Sequence, residues 1–351
     1  MRQSHRWYTA NHTFDELYQR AMYELIESPE YVCSPRGMKI NEVLAYHAAL
    51  GDPRKRLLNS VARNVNYGFA VGEFLWYWRG AEDLESIAYY NRRMKDFSND
   101  GKTINSAYGK RLKSPPKTRP GDDPHVDLSQ WETCKRTLAK DSESRRAVML
   151  INHPEDELVA DVNGSKDVPC TLSLQFFVRN DGDLDDPRDR LHLHVLMRSN
   201  DIVWGLTYDL FSFTLFQECM MLELRRDFPA KFGKLELGEY YHTAGSLHLY
   251  ENHRKMGRDI LTEYAESPKW RATRKPTKGD RRINLTEAPG MEAFSLTDLS
   301  SLVVAEERLR TGEVDEISTD GFETAGAKWM VERLNEHRKK RDEESRGKAA
   351  K

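Results

Sequence analysis

No apolar run in the 351 residues approaches the ~20 that a membrane-spanning helix requires, and the mean hydropathy of -0.75 points the same way. The opening MRQSHRWYTANHTF has no apolar core of the secretory-signal kind, so none is visible there. Excess charge of one sign is also missing: 54 basic and 56 acidic residues leave a net charge of -2. That excludes a global electrostatic grip on nucleic acid, while leaving room for a local basic pocket that takes a small anion. Cysteine is scarce. Cys33, Cys134, Cys170 and Cys219 are far apart, with no CxxC and no closely spaced Cys/His set. Neither a disulfide framework nor a structural zinc site is expected, and a reduced cytoplasmic chain is the default. His242, His248 and His253 follow one another at spacings of six and five, which match no common metal-ligand motif, so no metal is expected. GxxxxGK[ST] and GxGxxG are absent too, which leaves a nucleoside-triphosphate or dinucleotide cradle unsupported.

What is present is a globular balance, 38% hydrophobic and 31% charged, in a length that suits one large domain or two ordinary ones. Thr13-x-x-Glu16 reads as a capping box, with Phe14, Leu17, Tyr18, Leu25 and Ile26 at helical spacing behind it. An aromatic-rich helix is expected over about 59–79, and a long proline-rich surface loop over 113–127. The period then changes. Leu172, Leu174, Phe176 and Val178 alternate with polar positions, as do Leu191, Leu193, Val195 and Met197, giving two strands with a polar turn over 180–189. Residues 210–224 are apolar nearly all round, as in a helix buried in a core. Residues 235–250 are strand-like, with a break expected near Ala244-Gly245. From Lys328 a helix runs into the charged tail RKKRDEESRGKAAK, expected to be solvated or frayed. The pattern is mixed α/β with one extended sheet and no clear linker.

Several residues could carry chemistry. Cys170 opens a strand after Pro169; it is either a small buried hydrophobe or, with a cation beside it, a nucleophile, and Arg198 at the end of the neighbouring strand could be that cation. Arg145 and Arg146 are a solvated pair or a phosphate clamp, since guanidinium forks match phosphate oxygens; Arg36 on a glycine-containing loop could do the same. Asp209 inside an apolar segment is a helix N-cap or a buried ligand-reading carboxyl.

Taken in order, these segments resemble the thymidylate synthase superfamily from about Arg36 to His253. Glu73-Phe74-Leu75-Trp76-Tyr77-Trp78-Arg79-Gly80 is similar to the family's E-L-L-W-x-x-x-G, and Tyr108-Gly109 to its Y-G. Ser144-Arg145-Arg146 resembles S-R-R, and Pro169-Cys170 through Gln175-Phe176-Phe177-Val178 resembles P-C-H-x-x-x-Q-F-x-V. Arg198-Ser199-Asn200-Asp201 through Gly205 matches R-S-x-D-x-x-x-G, and 238–253 resembles G-x-x-x-H-x-x-G-D-x-H-x-Y-x-N-H. The resemblance implies a large twisted mixed sheet flanked by helices, an α/β (α+β) fold, paired sheet to sheet in a homodimer. It implies a catalytic domain over 1–265, with 266–351 as a helical extension on the same domain.

The resemblance also implies roles. Cys170 would attack C6 of a pyrimidine nucleoside monophosphate, with Glu73, Asp209 and Tyr108 as further catalytic groups. Arg36, Arg198 and Ser199 would hold the 5'-phosphate, together with Arg145 and Arg146 reaching across from the partner subunit. His248 and Tyr250 would bind the 3'-hydroxyl. Trp76, Asp201, Gly205 and Ser246 would face the one-carbon donor, 5,10-methylenetetrahydrofolate, and Asp201 the base as well.

The departures are informative. Asp209 stands where methylating synthases have Asn, which reads uracil; a carboxyl suits the opposite donor and acceptor pattern of cytosine. In this the chain resembles the cytidylate 5-hydroxymethylases, both the phage deoxycytidylate enzymes and the CMP hydroxymethylase of mildiomycin biosynthesis. Thr171 replaces the family's His after the nucleophile, and Ser246 its Asp. The long charged tail differs from the family's short apolar closing segment, which favours adding water over a hydride transfer that needs a dry site. The expectation is therefore a CMP or dCMP hydroxymethylase, the other readings being a uridylate methylase or hydroxymethylase, and a non-catalytic nucleotide- or RNA-binding regulator.

Overall fold

The computed structural model describes residues 11–114, 129–180, 188–266 and 295–349. Nearly all of the expected loop over 113–127 and of the turn over 180–189 lies outside the described residues.

The first helix, α1 (Phe14–Glu27), begins where Thr13 Oγ1 accepts from the Glu16 amide at 3.2 Å. Glu16 reaches back to the His12 amide, one position before the expected partner, so the capping box is offset by one residue. Strand β1 (Tyr31–Cys33) then pairs antiparallel with β2 (Ile40–Leu50). The aromatic helix α2 (Tyr67–Trp78) starts eight residues later than expected. Local hydrogen bonds explain the delay: Asp15 takes the Asn59 amide, Glu263 takes the amides of Val61 and Ala62, and Asn66 caps the helix by accepting from Phe69. Helices α3 (Leu84–Tyr90), α4 (Tyr108–Lys113) and α5 (Gln130–Lys140) follow, then β3 (Val148–Leu150) and α6 (Pro154–Asn163).

The alternating segments form β4 (Thr171–Asn180) and β5 (Asp189–Met197), paired antiparallel as a hairpin. Short β6 (Asn200–Asp201) leads into α7 (Leu206–Asp227), the helix expected to be buried all round. After α8 (Pro229–Phe232) comes β7 (Glu236–Tyr250), a single 15-residue strand with no break at Ala244-Gly245. What changes there is its neighbour: β7 runs parallel to β5 as far as Ala244 and to β6 from Leu247. The seven-stranded mixed sheet has the order β1-β2-β7-β5-β4-β3, with β6 beside β7. Helices α9 (Arg254–Glu266), α10 (Leu296–Thr311) and α11 (Ala325–Ala349) complete the described chain.

Period-two alternation gives the sheet a dry face. Leu174, Phe176 and Val178 of β4, Leu191, Leu193, Val195 and Met197 of β5, and Tyr240 and Ala244 of β7 are buried, on the side of α7, whose Phe216 joins the aromatic cluster of Phe74, Trp78 and Trp131. The other face carries half-buried side chains, among them Gln175, Phe177, His192, His194 and Tyr241.

The charged C-terminal tail is not simply solvated. Helix α11 continues to Ala349, and its cations grip the C-terminal carbonyls of two other helices: Arg338 reaches Leu309 O at 2.6 Å, and Arg341 reaches Tyr89 O at 2.7 Å with its guanidinium over the Tyr89 ring. Leu299, Leu302, Leu309, Trp329, Met330 and Leu334 join the main core. From α10, buried Glu306 takes Arg79 at the end of α2 (3.1 Å), Arg310 (2.9 Å) and the Tyr90 hydroxyl (2.9 Å). This node ties the extension to α2. Glu306→Ala strands two cations and a buried hydroxyl, so it should cost about 2–4 kcal/mol in urea denaturation; a loss within error of zero contradicts a bracing role.

Candidate active site

Cys170 ends the lead-in to β4. Its carbonyl accepts from the Arg198 amide at 2.8 Å, and the Arg198 side chain turns back to the carbonyls of Pro169 (Nε, 2.9 Å) and Val168 (Nη2, 3.0 Å). Gly245 admits this crossing, since a Cβ there meets Arg198 O at 2.8 Å. Burial is the largest influence on the thiol and raises its pKa. The Arg198 charge opposes it, Asp209 reinforces it, and a hydrogen bond with Ser199 and the Arg36 charge again oppose it. The balance leaves Cys170 a thiol at rest, with the means of becoming a thiolate beside it. Arg36 sits in a short 3-10 turn (Pro35–Gly37) with φ 55°, a left-handed conformation unusual for arginine, and its guanidinium reaches the Tyr250 hydroxyl at 3.4 Å.

Asp209 acts on this thiol directly, and a second carboxyl, Glu73, stands beside Asp209. Glu73 of α2 accepts from Tyr77, one helical turn on, and Tyr77 stacks on Tyr108 with ring centroids 5.3 Å apart. Asp209 lies in the first turn of α7 and accepts from Asn200 Nδ2 at 2.8 Å. Burial pushes Asp209 up to about 7, the Asn200 hydrogen bond only partly offsetting it. Glu73 is pushed up to about 8 by burial, then by the Asp209 charge, with the Tyr77 hydrogen bond opposing. No cation figures among the influences on either group, so both hold their protons into the neutral range, Glu73 further than Asp209, and they titrate as a pair. Burial also holds the Tyr108 hydroxyl, which lies against Thr171, well above its usual range.

Gly205 makes the second carboxyl possible. A Cβ on Gly205 comes within 2.6 Å of Asn200 Nδ2 and 3.2 Å of Asp209 Oδ2, so a side chain there separates the pair. Behind Asn200 the chain runs on to His242 and Tyr240, both fully buried. Burial lowers His242 to about 3, so its imidazole is neutral.

On the third side stand His248, Tyr250, Asp201 and Ser246. His248 Nδ1 is buried with no hydrogen-bond partner among the described residues, which suits it to meet a ligand hydroxyl. Asp201 Oδ1 accepts from the amides of Val203 (2.7 Å) and Trp204 (3.3 Å), so it shapes the entry to α7. Ser246 Oγ donates to Glu42, which lies directly opposite His248 in the β2–β7 register and also receives the Cys33 thiol. A carboxylate therefore stands beside the position from which Ser246 removed one.

Among the candidate cofactor-facing residues, Trp76 is only 2% exposed and its indole N–H donates to Asp83 O, so it supports the site from behind. The indole presented to solvent is Trp204, 44% exposed, with Arg93 (5.1 Å) and Arg63 (5.7 Å) over its ring. A flat aromatic face flanked by guanidiniums fits a folate, a planar heterocycle ending in carboxylates. Arg145 and Arg146 are not drawn into this group. Both are exposed just before edge strand β3, whose register sets Val148 opposite Gln175, well along β4 from Cys170. No group of three or more His, Cys, Asp or Glu able to hold a metal occurs among the described residues, and no helix among them is long and apolar enough to cross a membrane.

Sequence reasoning missed several participants, Trp204 and Arg93 among them. Tyr77 was within reach, four residues after Glu73 on a helix. Asn200, Glu42 and Arg63 depend on strand register and loop packing that no local pattern announces.

The sequence pattern of the family described as thymidylate synthase matches residues 39–300. Among curated proteins, a deoxyuridylate hydroxymethyltransferase of Bacillus phage SP01 is 32% identical over 235 residues, covering 67% of this chain and 56% of that protein. One of Pseudomonas phage M6 is 28% identical over 199 residues, covering 57% and 49%. The thymidylate synthase of Bacillus licheniformis is 24% identical over 268 residues, covering 73% and 86%. The chain thus spans about half the length of the two phage relatives.

The buried acids make stability depend on pH. Unfolded, Asp209 releases its proton near 3.8; folded, it keeps it to about 7. Stability contributed by the neutral acid is complete below pH 3.8, declines as pH rises toward 7 and then levels off. Asp209→Asn should therefore gain about 1–3 kcal/mol over the parent at pH 8, allowing for solvent that reaches the open site, and the gain should shrink toward zero at pH 4. Equal differences in melting temperature at both pH values rule this out.

Proposed function

The chain belongs to the thymidylate synthase family, and from that membership we propose that it transfers one carbon to C5 of a pyrimidine nucleoside monophosphate. The base is cytosine, as CMP or dCMP, and the product is the 5-hydroxymethyl nucleotide. The observation that carries this reading is Asp209: an acid desolvated enough to keep its proton up to about pH 7, at the position the resemblance gives to the base reader, on the Cys170 side of the site.

Cys170 Sγ adds to C6 of the ring, and negative charge moves toward N3 and the C4 substituent. Asp209 meets that charge with a proton, and C5 becomes the carbon nucleophile. Glu73, pushed up to about 8, orders water and relays protons next to the base, with Tyr77 and Tyr108 behind it. Arg36, Arg198 and Ser199 take the 5'-phosphate, joined by Arg145 and Arg146 of the partner subunit in a sheet-to-sheet homodimer. His248 and Tyr250 take the 3'-hydroxyl. Trp204, Asp201, Gly205 and Ser246 line the folate side, backed by Trp76. When bound there, 5,10-methylenetetrahydrofolate supplies the one-carbon unit. The reaction calls on no metal. The catalytic unit is residues 1–265, and the described part of the extension, 295–349, braces it.

A neutral carboxyl presents one donor and one acceptor. To cytosine it donates to N3 and accepts from the N4 amino group. With its two oxygens exchanged it accepts from N3–H of uracil and donates to O4. A uridylate substrate is therefore the second reading, favoured by the phage relatives, which carry the name deoxyuridylate hydroxymethyltransferase.

Tritium release from C5 of CMP, dCMP, UMP and dUMP separates the two. Turnover of the uridylates alone removes the cytosine assignment, and Cys170→Ala should lower turnover of any substrate at least about a thousandfold. For the shared site, Arg145→Ala/Arg146→Ala protein mixed with Cys170→Ala protein should recover activity, because one hybrid site then holds both the thiol and the arginines. Mixtures no more active than the separate variants contradict the cross-subunit clamp.

A further inference from the structure

The polar chain behind Asp209 goes three side chains deep, beyond what filling a core requires. Asn200 is 2% exposed, and His242 and Tyr240 not at all. The links are Asp209 Oδ2 to Asn200 Nδ2 at 2.8 Å, Asn200 Oδ1 to His242 Nε2 at 3.1 Å and His242 Nδ1 to Tyr240 Oη at 3.0 Å. Each can be filled by one donor and one acceptor, and the far end sets the direction. The Tyr240 hydroxyl lies in dry surroundings, with His242 Nδ1 as its hydrogen-bond partner among the described residues. Donating to that nitrogen satisfies the hydroxyl proton; the reverse arrangement leaves it buried and unpaired, at the full cost of desolvation. With Nδ1 bare, a neutral His242 carries its hydrogen on Nε2 and donates it to Asn200 Oδ1. The Asn200 amide then has only its NH2 to offer Asp209. The carbonyl oxygen of a neutral carboxyl accepts better than its hydroxyl oxygen, so an NH2 held on Oδ2 favours the acid's proton on Oδ1.

Cytosine and uracil differ by an exchange of donor and acceptor at N3 and the C4 substituent. Moving one proton between the two oxygens of Asp209 turns a reader of one base into a reader of the other. Taking Asp209 as the base-reading group put forward above, we propose that Tyr240, His242 and Asn200 are the specificity-determining positioning residues: they fix which carboxyl oxygen holds the proton, and so which base is accepted. None of the three need touch the nucleotide. The other groups facing Asp209 are Glu73 and Tyr77 from α2, Tyr108 from α4 and Cys170 before β4; none of these shows a hydrogen bond to Oδ2.

Tyr240→Phe is the informative variant, since it removes the hydroxyl that sets the direction while keeping the ring. Calorimetric titration with CMP, dCMP, UMP and dUMP gives the ratio of cytidylate to uridylate dissociation constants. The variant should move that ratio toward unity by about tenfold, weakening the preferred nucleotide and tightening the other. In the Asp209→Ala background, where no group is left at this position to present a donor and an acceptor, Tyr240→Phe should leave the ratio where it is. A merely structural role weakens both nucleotides together. A folded Tyr240→Phe protein whose ratio stays within twofold of the parent overturns the proposal; if Tyr240→Phe does not fold, Asn200→Ala is read on the same ratio. The parent's own preference is a separate result. Binding uridylates more tightly removes the cytosine assignment and leaves the ratio test standing, whereas binding none of the four removes both.

Discussion

Two carboxyl groups share one pocket with no cation between them, and the arrangement around them follows from that. An ionised carboxylate out of water is costly, and two near each other are costlier still. Among the described residues no lysine or arginine compensates: Glu73 receives the Tyr77 hydroxyl and Asp209 the Asn200 amide. The protein therefore keeps protons where an exposed aspartate or glutamate has none, and in the proposed reaction a ring nitrogen needs one there.

The scaffold makes this possible through close backbone approaches. Gly245 lets the Arg198 backbone cross β7 at a distance no side chain tolerates, which carries Arg198 and Ser199 to Cys170. Gly205 lets Asn200 reach Asp209 across the first turn of α7. Beneath them, α7 is clamped between the dry face of the sheet and the aromatic cluster, so Asp209 has little freedom to swing toward water. On the other wall α2 is held from outside by Glu306 and by the His337 side chain packed against Gly68. Glu73 is thus positioned partly by residues more than two hundred places along the chain.

Elements with strong periodicity were legible in the sequence: β4, β5, α7 and the apolar side of α1 declare themselves by alternation or by continuous hydrophobicity. So were Cys170, Arg198 and Asp209, because motif order marked them. What escaped has a common physical cause. The delayed start of α2 is set by Asp15 and Glu263, distant carboxylates that take amides of residues 59–62. The apparent break at Ala244-Gly245 is a change of neighbouring strand, and an interruption in side-chain pattern looks the same for a change of partner as for an end. The charged tail read as solvated because it has mixed charge and no apolar face; its cations also use helix-end carbonyls, which composition does not display. Glu42 beside Ser246 and the Asn200–His242–Tyr240 chain exist only once strands are in register.

The local charge of the site runs against that of the whole chain. The protein carries -2 overall, yet with Glu73, Asp209 and Cys170 neutral, the fixed charges nearest the thiol are the guanidiniums of Arg198 and Arg36. A phosphate dianion is drawn to such a place. Once it binds, it neutralises the cations that favour the thiolate, so a free thiolate is hardest to hold when the substrate is present. In the proposed reaction, then, sulfur addition cannot wait on a standing thiolate. It must run together with movement of charge onto the base, and that charge needs a proton at the far side of the ring. Asp209 has one to give only because it is buried without a counter-ion. The property that is costly for the fold is the one the chemistry needs, and a cation placed beside Asp209 for stability would remove it.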